Sequence, residues 1–323
     1  MGGFMYSRTA TNDGVRRMGA LLIGAAAATT LAVSTPAPAK AADGCVAFGS
    51  VNMHTGSASC SSTGLLGLAV AFGPGATATA GGLFGLAFAV GTNAQAVAGS
   101  LPTDVFSTAI ARGDGSVAVA DQGVGNIAVS SRGGSANANS GNFNVAMARD
   151  TGSKSTATGG SFNIAGAMGD NNEAYAGSQT QGVYGNFNLA MTVGEDNSVK
   201  AVDGDFNRAT AFGRGNGAFA GTGNRNRVMV FGRNNNSVAT FGDGNQTIVL
   251  GEGNVANAGG GNRNRAIVFG ENNTVRVGDP TNPTGTSDRN SAMVRGEDNT
   301  VTAGPGSRNR IRISGKGITA SKP

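Results

Sequence analysis

The sequence lacks tryptophan altogether and contains a single histidine, His54. One histidine rules out a His-rich metal centre and any His-based catalytic triad within the repeats described below. The many glycines follow the spacing of strands, and none opens a helix as a phosphate-binding loop or a dinucleotide fingerprint would. The sequence therefore predicts a protein that is not an enzyme, with no cofactor and no catalytic or metal-binding residue.

Charge is also sparse, and large aliphatic residues are few. Leu, Ile, Val and Phe together make up roughly a fifth of the chain, a level near which disorder becomes common. Disordered chains usually also carry a high net charge, whereas here the formal net charge is only +5. Composition alone thus leaves a folded chain and a disordered chain both open, and periodicity has to decide.

The only long apolar run lies at the N-terminus and is typical of an export signal. Arg16 and Arg17 precede the run Met18–Val33, and Ala39-Lys40-Ala41 offers an A-x-A cleavage site. We predict a signal peptide over residues 1–41 and a secreted or cell-surface protein, soluble or peripherally attached, after cleavage near Ala41. Most of the positive charge leaves with this segment, so the basic pI does not indicate nucleic-acid binding.

The two cysteines, Cys45 and Cys60, both follow the signal closely. In an oxidising compartment they are expected to form a disulfide, here within an N-terminal cap over residues 42–66. A thiol pair that binds metal together with His54 is the alternative, although such a site would need further ligands.

A repeat dominates the rest of the chain. GNRNRVMVFG at Gly223–Gly232 returns as GNRNRAIVFG at Gly261–Gly270, two periods later. Asparagines recur at intervals of nineteen residues, and a second set lies between them. The first set includes Asn188, Asn207, Asn226, Asn245 and Asn264; the second includes Asn197, Asn216, Asn236 and Asn254.

Each half-repeat of nine or ten residues reads N-x-[VAI]-x-[VAT]-x-G-x-x. The alternation of period two predicts a strand of about five residues, and the Gly and Asn that follow predict a turn. Two strands per coil of about 19 residues make an all-β, single-chain parallel β-solenoid, or β-roll. We place about thirteen coils over residues 67–316 and a C-terminal tail over 317–323. Hairpin meanders are the rival topology, but the turns lack a consistent hairpin signature.

The alternation also separates the interior from the surface. Val228 and Val230 are expected to point inward, and Arg227, Met229 and Phe231 outward. The inward residues are small throughout, as a thin interior between two sheets requires. The recurring asparagines are expected to stack as a ladder of amides, a structural role.

The outward residues differ between the two halves of each coil. One half carries large apolar residues and the other small or polar ones, so one face of the solenoid is apolar. We predict that this face joins identical chains into a homo-oligomer, with envelope lipid or another partner as the alternative. The predicted self-association residues are Phe72, Phe88, Met147, Met191, Met229, Phe231, Leu250 and Phe269.

The turn that precedes each apolar half carries Phe in one part of the chain and Arg in the other. Three insertions, near 100–104, 178–184 and 279–287, fall at the same turn. Loops and stacked arginines favour this edge as the site for a glycan or an anionic polymer. The alternative is that the arginine stems merely cover the core. The candidate ligand residues are Phe143, Phe162, Phe187, Phe206, Arg225, Arg263, Arg289 and Arg308.

The half-repeats, such as NSVKA at Asn197–Ala201 and NTVRVG at Asn273–Gly278, resemble the head repeats of trimeric autotransporter adhesins. That resemblance implies a β-roll, oligomerisation, and adhesion to host or matrix surfaces. The Asn/Gly rhythm is also similar to that of Asn- and Gly-rich exported proteins of mycobacteria and their relatives.

Calcium-binding β-rolls are a further comparison, because Gly242–Thr247 follows their Gly-rich repeat until Thr247 replaces the metal-binding Asp. Acidic residues that recur on the opposite turn keep calcium open as an alternative: Asp114, Asp170, Glu195, Asp196, Glu252, Glu271, Glu297 and Asp298. The preferred hypothesis is an exported, envelope-associated structural or adhesive rod, and the second is a secreted binding module for a glycan or an anionic polymer.

Overall fold

The computed structural model describes residues 43–179, 183–278 and 287–322, and the predicted signal peptide lies outside these ranges. Within them the protein is all-β, with no helix long and apolar enough to cross a membrane. The strands form two sheets that face each other across one interior.

Within the described ranges, sheet A has fifteen strands: β1 (Gly44–Phe48), β2 (Val51–Thr55), β4 (Leu68–Phe72), β6 (Leu86–Val90), β8 (Thr108–Arg112), β10 (Ile127–Ser131), β12 (Val145–Arg149), β14 (Ile164–Met168), β16 (Leu189–Glu195), β18 (Arg208–Arg214), β20 (Arg227–Arg233), β22 (Gln246–Glu252), β24 (Arg265–Glu271), β26 (Ser291–Met293) and β28 (Arg310–Arg312). Sheet B has fourteen: β3 (Ser59–Ser62), β5 (Thr77–Ala80), β7 (Gln95–Ala98), β9 (Val117–Ala120), β11 (Ser135–Ala138), β13 (Lys154–Thr158), β15 (Glu173–Gly177), β17 (Ser198–Val202), β19 (Gly217–Gly221), β21 (Asn236–Ala239), β23 (Val255–Asn257), β25 (Thr274–Arg276), β27 (Thr300–Thr302) and β29 (Thr319–Ser321).

The chain alternates between the sheets, so one strand of each makes a coil. Strands of successive coils pair in parallel and in register: Val228 of β20 lies beside Ala209 of β18 and Thr247 of β22. The predicted parallel β-solenoid, with two short strands in each coil of about 19 residues, is confirmed. The stack continues to β29, which pairs with β27. Strand β29 lies within residues 317–323, which were predicted to form a C-terminal tail.

The N-terminal end departs from this pattern. Strand β1 pairs antiparallel with both β2 and β4, so a short hairpin covers the first coil of sheet A. Cys45 on β1 and Cys60 on β3 are both buried and form the predicted disulfide, which joins the two sheets at this end. Because both cysteines form this disulfide, neither thiol is free to bind a metal together with His54, which was the alternative.

The interior is narrow and changes along the solenoid. Inward positions are almost all alanine in the first coils, as at Ala69, Ala71 and Ala109. From β20 onward, valine and isoleucine replace many of them, as at Val228 and Val230, which are fully buried as predicted. The more C-terminal coils therefore bury more apolar volume in each turn.

Two ladders of buried asparagine run along the two edges of the solenoid. We call the edge where the chain passes from sheet B to sheet A the B-to-A edge, and the opposite one the A-to-B edge. On the B-to-A edge the side-chain oxygen of each Asn accepts the backbone N–H of its copy in the next coil, at 3.0 Å from Asn226 to Asn207. In most coils its side-chain nitrogen donates to a glycine carbonyl one coil on, as from Asn226 to Gly242, whereas that of the buried Asn264 has no partner. This ladder contains Asn126, Asn144, Asn163, Asn188, Asn207, Asn226, Asn245, Asn264, Asn290 and Asn309.

The A-to-B edge carries a ladder of true amide-to-amide bonds. Here the side-chain nitrogen of each Asn also donates to the side-chain oxygen of the previous copy, at 3.1 Å from Asn235 to Asn216. The ladder contains Asn172, Asn197, Asn216, Asn235, Asn254, Asn273 and Asn299. The sequence analysis was wrong in choosing Asn236, which is exposed and begins β21, whereas its neighbour Asn235 is buried.

Candidate functional site

The outer face of sheet A carries three parallel files of side chains. The central file runs without interruption from β4 to β28, because the strands pair in register. Apart from Gly166, Thr210 and the terminal Arg312, it is apolar: Val70, Phe88, Ile110, Val129, Met147, Met191, Met229, Ile248, Ile267 and Met293. The corresponding face of sheet B has no such file, since its outward positions include Thr77, Lys154, Glu173 and Lys200.

All eight residues predicted for self-association lie on this outer face. Phe88, Met147, Met191 and Met229 belong to the central file, and the other four belong to the file beside the A-to-B edge. Phe72, Met147 and Phe269 are exposed, and the remaining five are half-buried by their neighbours in the sheet. Phe231 stacks on Phe212 with ring centroids 5.0 Å apart. The central file is therefore apolar and partly exposed in most coils, although Thr210 and Ile267 within it are buried.

The aromatic ladder on the B-to-A edge is longer than the sequence indicated. Phe143, Phe162, Phe187 and Phe206 stack with centroids 4.9 to 5.2 Å apart and nearly parallel rings. Phe84 and Phe106, which the sequence analysis missed, form a further stacked pair at 5.0 Å at the same position of earlier coils. The signal was present, because both residues stand one position before the start of an apolar half-repeat.

These residues share an unusual backbone conformation. Each Phe of the ladder, and each of Arg225, Arg263, Arg289 and Arg308 that continue it, has a positive φ between 56° and 65°. In two coils glycine occupies this position, at Gly125 and Gly244, with φ of 67° and 69°. Non-glycine residues seldom adopt this conformation, so the contacts between coils hold these side chains in place.

Stacking limits what the aromatic part of the edge can bind. Because each ring lies against the next, the ring faces are occupied and only the ring edges reach solvent. Arg225 covers the C-terminal face of this stack, with its guanidinium carbon 6.0 Å from the Phe206 centroid. The inner rings of the stack therefore offer no open face to a sugar ring, and the exposed arginines continue the edge beyond Phe206.

Three of these arginines, Arg263, Arg289 and Arg308, line a shallow depression of about 620 Å³. Asp243, Asp288, Asn262 and Ser307 complete its lining. The two aspartates link adjacent coils. Each carboxylate accepts a backbone N–H of the previous coil at 2.7 Å, from Asn224 to Asp243 and from Asn262 to Asp288. The depression is thus a mixed polar surface in which the carboxylates are anchored and the guanidinium groups face solvent.

The three insertions begin at the B-to-A edge. At the first two, near 100–104 and 178–184, carboxylate groups accept hydrogen bonds from the residues where the insertion begins. Asp104 is buried and accepts the backbone N–H groups of Ser100, Leu101 and Gly123. Asp121 accepts the N–H groups of Ser100 and Gln122. Burial raises the pKa of Asp121, but hydrogen bonds to Asp104, Ser100 and Gln122 outweigh it and lower that pKa overall.

At the second insertion, Asp203 accepts hydrogen bonds from Ser178 and from the backbone of Gln179. Tyr175 donates its hydroxyl to the Ser178 carbonyl at 2.7 Å. Burial, and then the charge of Asp203, raise the pKa of the Tyr175 hydroxyl, which stays protonated at neutral pH. The tips at 180–182 and the third insertion at 279–286 lie outside the described residues.

The acidic residues proposed for calcium lie along the A-to-B edge and are separated by basic ones. Arg214 pairs with Glu195 at 3.3 Å, and Lys316 pairs with Glu297 at 2.6 Å. Within the described ranges, no group of three or more His, Cys, Asp or Glu side chains is arranged to hold a metal ion.

Comparison with known proteins finds no family model, no curated protein and no solved structure that matches this chain, so its function has to be argued from the solenoid and its surfaces.

Proposed function

We propose that the protein is an exported, envelope-associated structural or adhesive rod that self-associates through the outer face of sheet A. The observation that carries this proposal is the central file, which keeps an apolar residue in almost every coil from Val70 to Met293. A soluble protein seldom leaves so long an apolar strip exposed. A second copy is the occupant that fits best, because a strip with a fixed period matches the period of an identical chain.

The size of the strip supports this occupant. Thirteen parallel strands at about 4.8 Å make it roughly 60 Å long, and a five-residue strand makes it roughly 15 Å wide. This area of about 900 Å² covers the whole outer face, including the file that contains Arg208, Arg227, Arg265 and Arg310, and it is close to the roughly 800 Å² that each side of a stable interface buries. Export rests on the predicted signal over residues 1–41 and accords with the buried disulfide, which oxidising compartments favour.

Mass measurement tests the proposal. Met147→Asp with Met229→Asp places two charges in the central file, and we expect light scattering to show the oligomer of the unchanged protein reduced to monomer. Val119→Asp with Val238→Asp makes the same chemical change on the outer face of sheet B and should leave the oligomer intact. A monomeric unchanged protein would overturn self-association, and its capture on lipid vesicles would assign the face to a membrane surface instead.

A further inference from the structure

Charge is distributed unequally along the solenoid. Residues 43–202 contain five Lys and Arg against nine Asp and Glu, a net charge of −4. Residues 203–323 contain fifteen Lys and Arg against nine Asp and Glu, a net charge of +6. The modest net charge of the whole chain therefore hides two oppositely charged parts, and the positive part attracts anionic ligands.

The positive charge is concentrated on one corner. Four arginines lie on the B-to-A edge: Arg225, Arg263, Arg289 and Arg308. Four more are the first outward residues of the neighbouring strands of sheet A: Arg208, Arg227, Arg265 and Arg310. All eight are exposed, and we call this surface the arginine corner. In three coils an Asn separates two arginines, at Asn226, Asn264 and Asn309, so the two guanidinium groups lie on either side of it.

Among the residues that the structure describes, the guanidinium groups of the corner form no ion pair. The ion pairs of the described residues involve Arg132, Arg149, Arg214 and Lys316, none of which belongs to the corner. The nearby Asp205, Asp243 and Asp288 bind backbone N–H groups of adjacent coils instead. Eight exposed guanidinium groups without ion pairs, spread over five of the six coils from β18 to β28, suit an extended anionic chain better than a single small anion.

The other groups of the corner indicate what kind of chain. Asp243 and Asp288 alternate with Asn262 and Ser307 between the arginines. Carboxylate, amide and hydroxyl groups accept hydrogen bonds from the hydroxyls of a sugar, whereas the carboxylates would repel a backbone charged at every unit. A polymer that carries both anionic groups and free hydroxyls fits this lining, and a polyphosphate or a nucleic acid fits it poorly.

We propose that the arginine corner is a binding site for a linear acidic polysaccharide, held by the arginines at its carboxylate or sulfate groups and by the Asp, Asn and Ser side chains at its hydroxyls. The polymer lies along the solenoid axis beside the outer face of sheet A. This activity is separable from self-association at the four edge arginines, which lie outside the outer face of sheet A, whereas Arg208, Arg227, Arg265 and Arg310 lie on that face.

The test uses the full processed chain with hyaluronan oligomers, which carry one carboxylate per disaccharide, as the probe, and binding is measured by calorimetry. Arg263→Gly, Arg289→Gly and Arg308→Gly together should weaken binding by about tenfold or more, since three charge-assisted contacts are lost. Glycine is chosen because Gly244 occupies the same position with the same positive φ, so the turn accepts it. The matched control, Arg112→Gly, Arg132→Gly and Arg149→Gly, removes equal charge from the other part of the chain and should change binding less than about twofold.

Three results would overturn the proposal. The first is that hyaluronan does not bind the unchanged protein, and the second is that both triple variants lose binding equally. The third is tighter binding of polyphosphate or single-stranded DNA of equal charge, which would assign the corner to phosphate polymers. Unchanged mass of the first triple variant by light scattering separates loss of binding from loss of assembly.

Discussion

The first coils and the later coils of this solenoid have the same backbone path but are stabilised differently. The coils from β4 to β9 have an interior of alanine, and Gly85 and Ser107 stand where later coils have the B-to-A asparagine. From β20 onward the interior contains valine, and both edges carry asparagine in each coil as far as Asn299 and Asn309. The hairpin and the disulfide between Cys45 and Cys60 stabilise the N-terminal end, which has neither the valine interior nor the asparagine ladders. A single repeat geometry can therefore be stabilised by buried amides or by a covalent link.

The surfaces of the earlier and the later coils differ as well. The earlier coils display stacked phenylalanines and a net negative charge, and the later coils display arginines and a net positive charge. In each part the residue at the B-to-A edge has the same positive φ, so the backbone does not decide which side chain stands there. Four changes test whether the two parts depend on different interactions.

The largest effect is expected at Asn235. Its side chain bonds to Asn216, to the Gly251 carbonyl and to the backbone and side chain of Asn254. Asn235→Ala leaves several buried groups without partners, and we expect a loss of unfolding free energy on the order of 4 kcal/mol. Asn236→Ala, one residue away but exposed, should change stability by less than about 0.5 kcal/mol in the same denaturant titration. Equal effects at the two positions would contradict the assignment of the ladder.

The second effect concerns the reinforced end. Cys45→Ser with Cys60→Ser opens a loop with a sequence separation of 15, which costs about 3 kcal/mol in the chain-entropy model. Because each coil contacts only its neighbours, the loss should be confined to the first coils. Hydrogen exchange should show faster exchange in β3–β7 and unchanged exchange in β20–β24. Uniform acceleration along the chain would show instead that the solenoid unfolds as one unit.

A smaller gain is expected from extending a ladder into the earlier coils. The Ser107 hydroxyl is buried without a hydrogen-bond partner, one coil before Asn126. In Ser107→Asn the new side chain would accept the backbone N–H of Asn126, as Asn126 does for Asn144. We expect a stabilisation of about 1 kcal/mol by thermal unfolding. A loss of stability would mean that the alanine-lined coils are too narrow for the larger side chain.

The smallest effect is a local dependence on pH at the first insertion. The pKa of Asp121 is lower in the folded protein than in the unfolded chain, where it is about 3.9. The Asp121 carboxylate therefore stabilises the folded loop at pH values above the unfolded pKa. This stabilisation is lost as the pH falls through the lower folded pKa. Protection of the Ser100 and Gln122 amides should therefore decrease on acidification below about pH 4, and Asp121→Asn should abolish that dependence. Loss of protection during a rise in pH would have the wrong sign for this mechanism.

Much of the architecture could be read from the sequence, for a physical reason. The alternation within strands and the nineteen-residue spacing of asparagine depend only on neighbours in the chain and in the next coil. They were therefore sufficient to predict the parallel solenoid, the inward Val228 and Val230, and the apolar residues on one outer face. The disulfide was predictable because only two cysteines exist. The exchange of Asn236 for Asn235 arose because adjacent asparagines are equivalent in a pattern, and only burial distinguishes them.

The sequence by itself determined the period, the alternation and the types of residue along each file, because these depend on neighbours in the chain. The tertiary structure alone decided three further features: the antiparallel hairpin over the first coil, the occupied ring faces of the phenylalanine ladder, and the joining of two separate arginine files into one corner. Each of these depends on the distance between coils and on the width of the interior, which are set when the two sheets pack and not by any single repeat.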